Sequence, residues 1–429
     1  MSIADLSAER RAWIEHTVAA QVTQARRLFG GGSRETYLVD AQQSDAAFPL
    51  VLRAESGAGA HAGTSFSLAR EYEVYSALAH TDVPTPHAYG LSANGDALLL
   101  QRLEGTGDFH KLPADQQASV AADFMRALAA LHALDTDELP LPSFARPRDA
   151  QDNARLDLAR WRDLSQTRTA HDDAFMHYAY AWFDAFAPAN VEHTRLVQGD
   201  TGPGNFMSAQ GAVTGLIDWE FSHLGDPMTD FGWLRLRCRK PAHYALFEAA
   251  FADYERGCGQ RIDPRRVDYH FALALLRCIV TVAMARRTGG ALGAIQYRIA
   301  EIGYLDRMAR ALLHLTGLKS DAAIFAPAPS ALAAEALQEL DAHIAPALSD
   351  HRGRLAAHAI RATLRHFAAR DAIGARINEE DRADRSRVFG GDLAGAALCA
   401  AAAEGGRAGD CDQLQYFARR AAREASLWP

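Results

Sequence analysis

Residues 196–218 constrain this chain more tightly than any other stretch. They read Leu196-Val197-Gln198-Gly199-Asp200-Thr201-Gly202-Pro203-Gly204-Asn205-Phe206 and, past a turn, Val213-Thr214-Gly215-Leu216-Ile217-Asp218. The density of Gly and Pro places Asp200 and Asn205, five apart, on a loop. After Asn205 a short strand turns at 208–211 and returns through 212–217. A hairpin sets the residue before its first strand beside the residue after its second. Asn205 and Asp218 are therefore expected side by side, with Asp200 on the same rim.

That triad suits one kind of chemistry. Phosphoryl transfer needs a carboxylate to orient the acceptor hydroxyl and take its proton, and oxygen ligands to hold Mg²⁺ on the nucleotide phosphates. Magnesium favours one or two carboxylates completed by phosphate oxygens and water. Asp218 supplies a hard anion, Asn205 a neutral carbonyl oxygen, and Asp200 is left as the base. The spacing Asp-x-x-x-x-Asn is that of the protein-kinase catalytic loop. Singly, each residue reads as a loop-former or turn cap; the three on one hairpin read as a site.

The surrounding pattern supplies two kinds of framework. A helix is expected over 9–25, strands over 27–29, 36–39, 48–53 and 97–101, and a helix over 66–79. From residue 114 helices dominate, over 117–134, 155–163, 174–187, 244–254, 267–287 and 295–315, interrupted by strands within 195–218. The expected fold is α+β and bilobal: a small strand-rich lobe over 1–103, a helical lobe over 104–319, and a cleft between them. Ala326-Pro327-Ala328-Pro329 marks 320–330 as a linker, and 331–429 reads as an all-helical accessory domain with helices over 331–348, 354–370 and 392–403.

Composition narrows the function classes. Apolar residues are 48% and charged residues 23% of the chain, ample for buried cores. A formal charge of −8 argues against nucleic acid as partner. Five dispersed cysteines without a CxxC pair argue against zinc or a disulfide framework and for a reducing cytoplasm. The apolar tract 271–285, broken by Arg277, reads as a buried helix rather than a membrane span.

Several ordered motifs together resemble the aminoglycoside phosphotransferase-like family, which also includes choline-kinase-like enzymes and the kinase domain fused to some acyl-CoA dehydrogenases. They are Gly30-Gly31-Gly32-Ser33-Arg34-Glu35-Thr36-Tyr37, Val51-Leu52-Arg53, Arg70-Glu71-Tyr72, Leu131-His132-Ala133-Leu134-Asp135, the 196–206 run, Ile217-Asp218-Trp219-Glu220, and Gly225-Asp226-Pro227 through Asp230. The likeness spans about residues 10–318. It implies an ATP- and Mg²⁺-dependent kinase with a kinase-like bilobal fold. By that resemblance Asp200 is the catalytic base, Asn205 and Asp218 bind Mg²⁺, Gly31, Gly32 and Ser33 cover the phosphates, and Asp230 braces the catalytic loop.

Arg53 pairing with Glu71 completes the nucleotide side, and Gln101 and Leu103 border the adenine at the 100–103 connection. Two departures stand out: Gln198 where the family has His, and Arg53 where kinases have Lys. Asp226 before Pro227 reads as a helix cap, His132 as a satisfied core residue, and Glu220 and His223 as acceptor-site or solvated groups. The cluster Arg235, Arg237, Arg239 and Lys240 is either a wet surface or, if it faces the cleft, a preference for an anionic acceptor. The expected acceptor is a hydroxyl of a small molecule, a hydroxyacyl-CoA or another anionic metabolite. An aminoglycoside, and a nucleotide-binding module with impaired turnover, are the rival readings. For the C-terminal helices, covering the acceptor site, homodimerisation and an inert scaffold all stay open.

Overall fold

The computed structural model describes residues 6–28, 34–44, 46–55, 63–169, 173–288, 290–322, 331–391 and 393–428. Helix α1 (Ala8–Val18) starts at Ser7, whose hydroxyl accepts the Arg10 amide, and stops at Ala19, held at φ 50°. The helix expected over 9–25 is thus shorter. Val22 and Ala25 instead face the core from β1 (Gln21–Leu28), where pairing with β2 (Arg34–Gln43) outweighs helical periodicity. β3 (Ala46–Glu55), helix α2 (Leu68–Leu78), β4 (Ala88–Leu91) and β5 (Ala97–Gln101) complete an antiparallel sheet of order β1-β2-β3-β5-β4. Strand β4 escaped the sequence reading because four residues around Gly90 carry no alternation.

Period-two alternation on β3 divides its labour. Leu50 and Leu52 are fully buried with Ile14, Val39 and Leu99 on one side of the sheet. The intervening Val51 and Arg53 belong to the other side, where α2 contributes Leu68, Val74, Tyr75 and Leu78 to a second core.

The chain continues through α3 (Ala114–Ala133), α4 (Asp152–Arg168) and α5 (Ala174–Ala185). Short strands follow: β6 (Arg195–Val197), β7 (Phe206–Ala209), β8 (Ala212–Leu216) and β9 (His223–Gly225). The helix expected over 244–254 is two, α7 (Pro241–Glu248) and α8 (Phe251–Cys258), after α6 (Met228–Arg237). Next come α9 (Pro264–Thr288), α10 (Gly290–Leu315), α11 (Ala331–Glu339), α12 (His351–Phe389), α13 (Gly395–Ala408) and α14 (Cys411–Ser426). α12 is a single long helix, and α14 was not foreseen. α9 is long and apolar enough to cross a membrane, yet 72% of its most apolar window is buried in the protein, as in a core helix.

Two compact units emerge: Met1–Asp157 with Pro188–Phe271, and Leu158–Ala187 with Ala272–Pro429. Two of the three divisions fall inside helices, α4 and α9, and the third follows α5. The helices after residue 331, expected to stand as a domain of their own, share their unit with 158–187 and 272–322. Of the expected linker, residues 323–330 lie outside the described residues.

In the second unit α5 and α13 approach closely: a Cβ on Gly406 would lie 2.2 Å from the Tyr178 carbonyl oxygen. Phe175 stacks on Phe417 at 5.2 Å, and Asp384 gathers Arg387, Arg419 and Arg423 at 2.7 Å each. Partial burial opposes ionisation of Asp384, but hydrogen bonds from these arginines outweigh it and hold its carboxyl at about 2.

In the first unit the loop after β6 hangs on Asp230, in α6. Its Oδ2 accepts the Gln198 amide at 2.9 Å and its Oδ1 the Gly199 amide at 2.9 Å. His132 Nε2 lies 3.1 Å from Oδ2, while His132 Nδ1 meets the Tyr254 hydroxyl at 2.8 Å. His132 is thus the satisfied core residue expected.

Two expectations follow. Asp230→Ala strands two buried amides and an imidazole, and should cost about 3 kcal/mol or more in urea unfolding. The Asp384 contribution is fully present above the unfolded carboxyl value of about 3.8 and fades as pH falls towards 2. Asp384→Asn should therefore lower Tm at neutral pH, with the gap to wild type narrowing below pH 4 in thermal melts.

Candidate active site

The hairpin forms as its sequence demands. β7 and β8 pair with Phe206 opposite Leu216, and the Ile217 amide donates to the Asn205 carbonyl at 3.0 Å. Asn205 and Asp218 are thereby brought to the same end. Gly199 sits at φ 80°, and a Cβ there would lie 2.2 Å from the Phe221 carbonyl oxygen, so only glycine lets the loop pass. Asp218 itself holds φ 65°, a left-handed conformation rare outside Gly, Asn and Asp.

Asp200 is buried beside this hairpin. Asn205 Nδ2 donates to its carboxylate at 2.8 Å and to its backbone carbonyl at 2.7 Å. Arg237 donates Nε to Asp200 Oδ1 at 2.6 Å and Nη2 to Oδ2. Burial raises the Asp200 pKa in spite of Arg237, and the neighbouring Asp218 charge adds to the rise.

Gln198 fills the position of the family histidine as a strap. Its Nε2 donates to the carbonyls of Asn205 at 3.0 Å and Ile217 at 2.6 Å, tying loop to hairpin. Its Oε1 is buried without a partner among the described residues.

The strand-rich side reaches Asp218 through Arg53. One fork nitrogen, Nη2, donates to Asp218 Oδ1 at 2.8 Å; the other, Nη1, stands 3.1 Å from Glu71 Oε1. Glu71 is fully buried, so this is no loose surface pair. Arg34, directly after the glycine loop, adds a second cation: it reaches Glu71 at 3.1 Å, Glu220 at 2.9 Å, Glu55 at 3.2 Å and the Phe66 carbonyl at 2.6 Å. Burial opposes ionisation of Asp218, but Arg53 outweighs it and holds that carboxyl below its usual range. Burial, and then the Asp218 charge, push Glu220 up to about 8.

Glu220 and His223 are buried rather than solvated. Asp226 accepts the Met228 amide at 2.9 Å, the capping role expected, and also binds Arg266 and His270. The basic cluster is divided: Arg235 pairs with Asp268 and lies over Phe271, Arg237 takes Asp200, and Arg239 and Lys240 are exposed.

Gly31, Gly32 and Ser33 lie outside the described residues. Gln101 is exposed, and its Oε1 accepts the His87 amide at 3.2 Å on the β4 side. Leu103 packs over the hairpin, its Cδ1 2.5 Å from where a Cβ on Gly215 would stand. Sequence reasoning missed Arg34 as a network member and Arg237 as partner of the base. Arg34 lay inside a quoted motif, while Arg237 is 37 residues from Asp200 and had no local signal. Among the described residues, no group of three or more His, Cys, Asp or Glu side chains gathers as a metal cluster.

Residues 24–270, more than half of the chain, match the profile of the Phosphotransferase enzyme family. The Arabidopsis thaliana protein named Probable acyl-CoA dehydrogenase IBR3 is 28% identical over 225 residues, 48% of this chain and 27% of that protein. Acyl-CoA dehydrogenase family member 10 of Mus musculus is 23% identical over 215 residues, 46% of this chain and 19% of that protein. The chain thus spans about a quarter or less of these longer relatives. A Ralstonia eutropha JMP134 protein assigned as an aminoglycoside phosphotransferase superposes with a TM-score of 0.56 at 21% identity, covering 72% of this chain and 98% of its own. A thermostable mutant of the aminoglycoside phosphotransferase APH(4)-Ia gives 0.51 at 17% identity, covering 70% and 98%. At such identities the likeness establishes the fold, which is the kinase-like one. By the extent of the profile match, the chain belongs to the phosphotransferase enzyme family.

Proposed function

We propose that this chain transfers the γ-phosphoryl group of ATP, in the presence of Mg²⁺, to a hydroxyl of a small anionic metabolite such as a hydroxyacyl-CoA. The observation that carries the reading is the meeting of Asp200, Asn205 and Asp218 at one hairpin, with Arg53 and Glu71 joined to it from the sheet.

The residues present fit a nucleotide-bound Mg²⁺. Asn205 spends its amide NH₂ on Asp200, which leaves its carbonyl oxygen as a neutral donor. Asp218 gives only Oδ1 to Arg53. Around them the buried Glu71 and Glu220 and the partly exposed Asp218 and Glu55 face two guanidinium groups, Arg34 and Arg53, so the cluster holds more carboxylates than cations. One or two protein oxygens completed by phosphate and water is the usual Mg²⁺ arrangement. When bound, the ion would neutralise charge developing on the phosphates.

Each protein group then has a task. Asp200 orients the acceptor hydroxyl and takes its proton. Arg53, linked to Glu71, presents a fixed charge to the phosphates, and Gly31, Gly32 and Ser33 cover them. The adenine lies against 100–103, beside Leu103 and Gln101. The preference for an anionic acceptor is supported by Arg237 on Asp200, where a polycationic aminoglycoside would be repelled. It is supported also by relatives named as acyl-CoA dehydrogenases. All five cysteines are free, in keeping with work in the cytoplasm.

Screening hydroxylated metabolites and acyl-CoAs for ATP consumption, with products identified by mass spectrometry, tests the reading. Asp200→Asn should lower turnover by about 10²–10⁴-fold while nucleotide binding persists. Full turnover in that variant would remove Asp200 from its role. Asp218→Ala should lose the Mg²⁺-dependent part of ATP binding, measured by calorimetry with and without Mg²⁺. A chain that binds nucleotide without turnover would pass the second test and fail the first.

A further inference from the structure

Asp200, the candidate base, is held in a fork. Arg237 engages both of its carboxylate oxygens, and Asn205 takes a further site on Oδ2. With both oxygens committed to donors, the carboxylate has little lone-pair capacity left for an incoming hydroxyl. For Asp200 to serve an incoming hydroxyl, Arg237 needs another anion to hold.

The surroundings of Arg237 provide for one. Its side chain is 27% exposed, and its Nη1 also donates to the Pro203 carbonyl at 3.2 Å, so it lies along the loop that presents Asp200. His110 Nδ1 faces His243 Nδ1 at 2.9 Å. The two imidazoles are half-buried and tilted together at 4.6 Å, anchored by the buried Phe109. The His110 segment packs on the same loop: a Cβ on Gly107 would lie 3.7 Å from the Gly204 carbonyl and 3.5 Å from that of Phe206. Arg239 adds its charge to the field at His110. The carboxylate on this segment, Asp108, is engaged by Lys111 at 2.5 Å. Arg235 is set apart, committed to Asp268.

We propose that Arg237, with His110 and His243, forms an oxyanion subsite for the acceptor, and that a carboxylate or phosphate bound there takes Arg237 from Asp200 and frees the base. This rests on the phosphotransfer reading above and narrows it. Because Arg237 touches Asp200 directly, the anionic group of the acceptor stands only a few bonds from the reacting hydroxyl. The substrate class is a hydroxy acid or hydroxy phosphate ester, or a CoA thioester whose acyl chain itself carries a carboxylate. The phosphates of coenzyme A are too far from an acyl hydroxyl to fill this role.

The test titrates ADP–Mg²⁺-saturated protein with malonate and with inorganic phosphate by calorimetry. Wild type should bind at least one of them saturably, Arg237→Gln at least tenfold more weakly, and Arg235→Gln within twofold of wild type. The anion that binds identifies the acceptor group. In parallel, the same anion should raise basal MgATP hydrolysis severalfold in wild type. Arg237→Gln should start from a raised basal rate and no longer respond. Where Arg237→Gln does not fold, His110→Gln carries the comparison, with an expected weakening of threefold or more.

Equal anion affinity in wild type and variant, or no saturable binding of either anion, overturns the subsite. So does equal phosphorylation of matched hydroxyacyl-CoAs with and without a carboxylate, a result that leaves phosphotransfer itself standing. Anion binding that depends on Arg237 without any ATP turnover does the reverse: it upholds the subsite and overturns the phosphotransfer reading.

Discussion

The carboxylate of Asp230 is the fixed point from which the site is built. It receives two consecutive amides, of Gln198 and Gly199, from the loop that carries Asp200. A run containing Gly199, Gly202, Pro203 and Gly204 has little intrinsic preference for one conformation. Two charge-assisted bonds from beneath select one, and His132 with Tyr254 holds the carboxylate from the other side. Burial opposes ionisation of Asp230, yet these donors outweigh it and lower its pKa. The anchor is therefore charged wherever the protein is folded near neutrality, and the loop above it inherits that rigidity.

From this anchor the electrostatics of the site diverge. On one side Arg34 and Arg53 serve four carboxylates, Glu55, Glu71, Asp218 and Glu220, and burial, followed by the Asp218 charge, pushes Glu220 up to about 8. On the other side Asp200 has a guanidinium to itself. Buried ion pairs seldom stabilise a fold beyond what apolar packing would give. A network of this size joining β2, β3, α2 and the hairpin is better understood as fixing the positions of charges than as a source of stability. The left-handed φ of Asp218 fits the same view, since strained backbone is retained where it aims a side chain.

How much of this was legible beforehand follows from the range of each signal. The hairpin was readable because its turn residues and the Asp-x-x-x-x-Asn spacing are local. The Arg53–Glu71 pair was readable because a strand and the following helix are neighbours in sequence and space. β4 and the end of α1 were misjudged where pairing partners, not the segment itself, decide the state: Val22 satisfies a helical stripe and a strand alternation equally well. Arg237 was seen as one of four cations in a row. Its partner could not be chosen, because what distinguishes it from Arg235 and Arg239 is the way α6 returns past the loop. The separate C-terminal domain was inferred from a proline-rich segment, and composition carries no information on which earlier helices later ones pack against.

The arginine at position 53 illustrates how a substitution that looks conservative alters a site. A lysine there would present a single ammonium, free to move between carboxylate and phosphate. The planar fork of Arg53 instead spans two carboxylates at once, Glu71 at 3.1 Å and Asp218 at 2.8 Å. Its charge is permanent, and burial does not lower it because the acids around it raise its pKa well above the ordinary value. On the reading proposed above, a phosphate that drew Nη2 away would leave Asp218 Oδ1 to a bound cation, so the two contacts would favour each other. The same logic governs Arg237 and Asp200 across the hairpin. In both places a guanidinium engages a carboxylate of the hairpin site, so that what each carboxylate can do next depends on what its arginine holds.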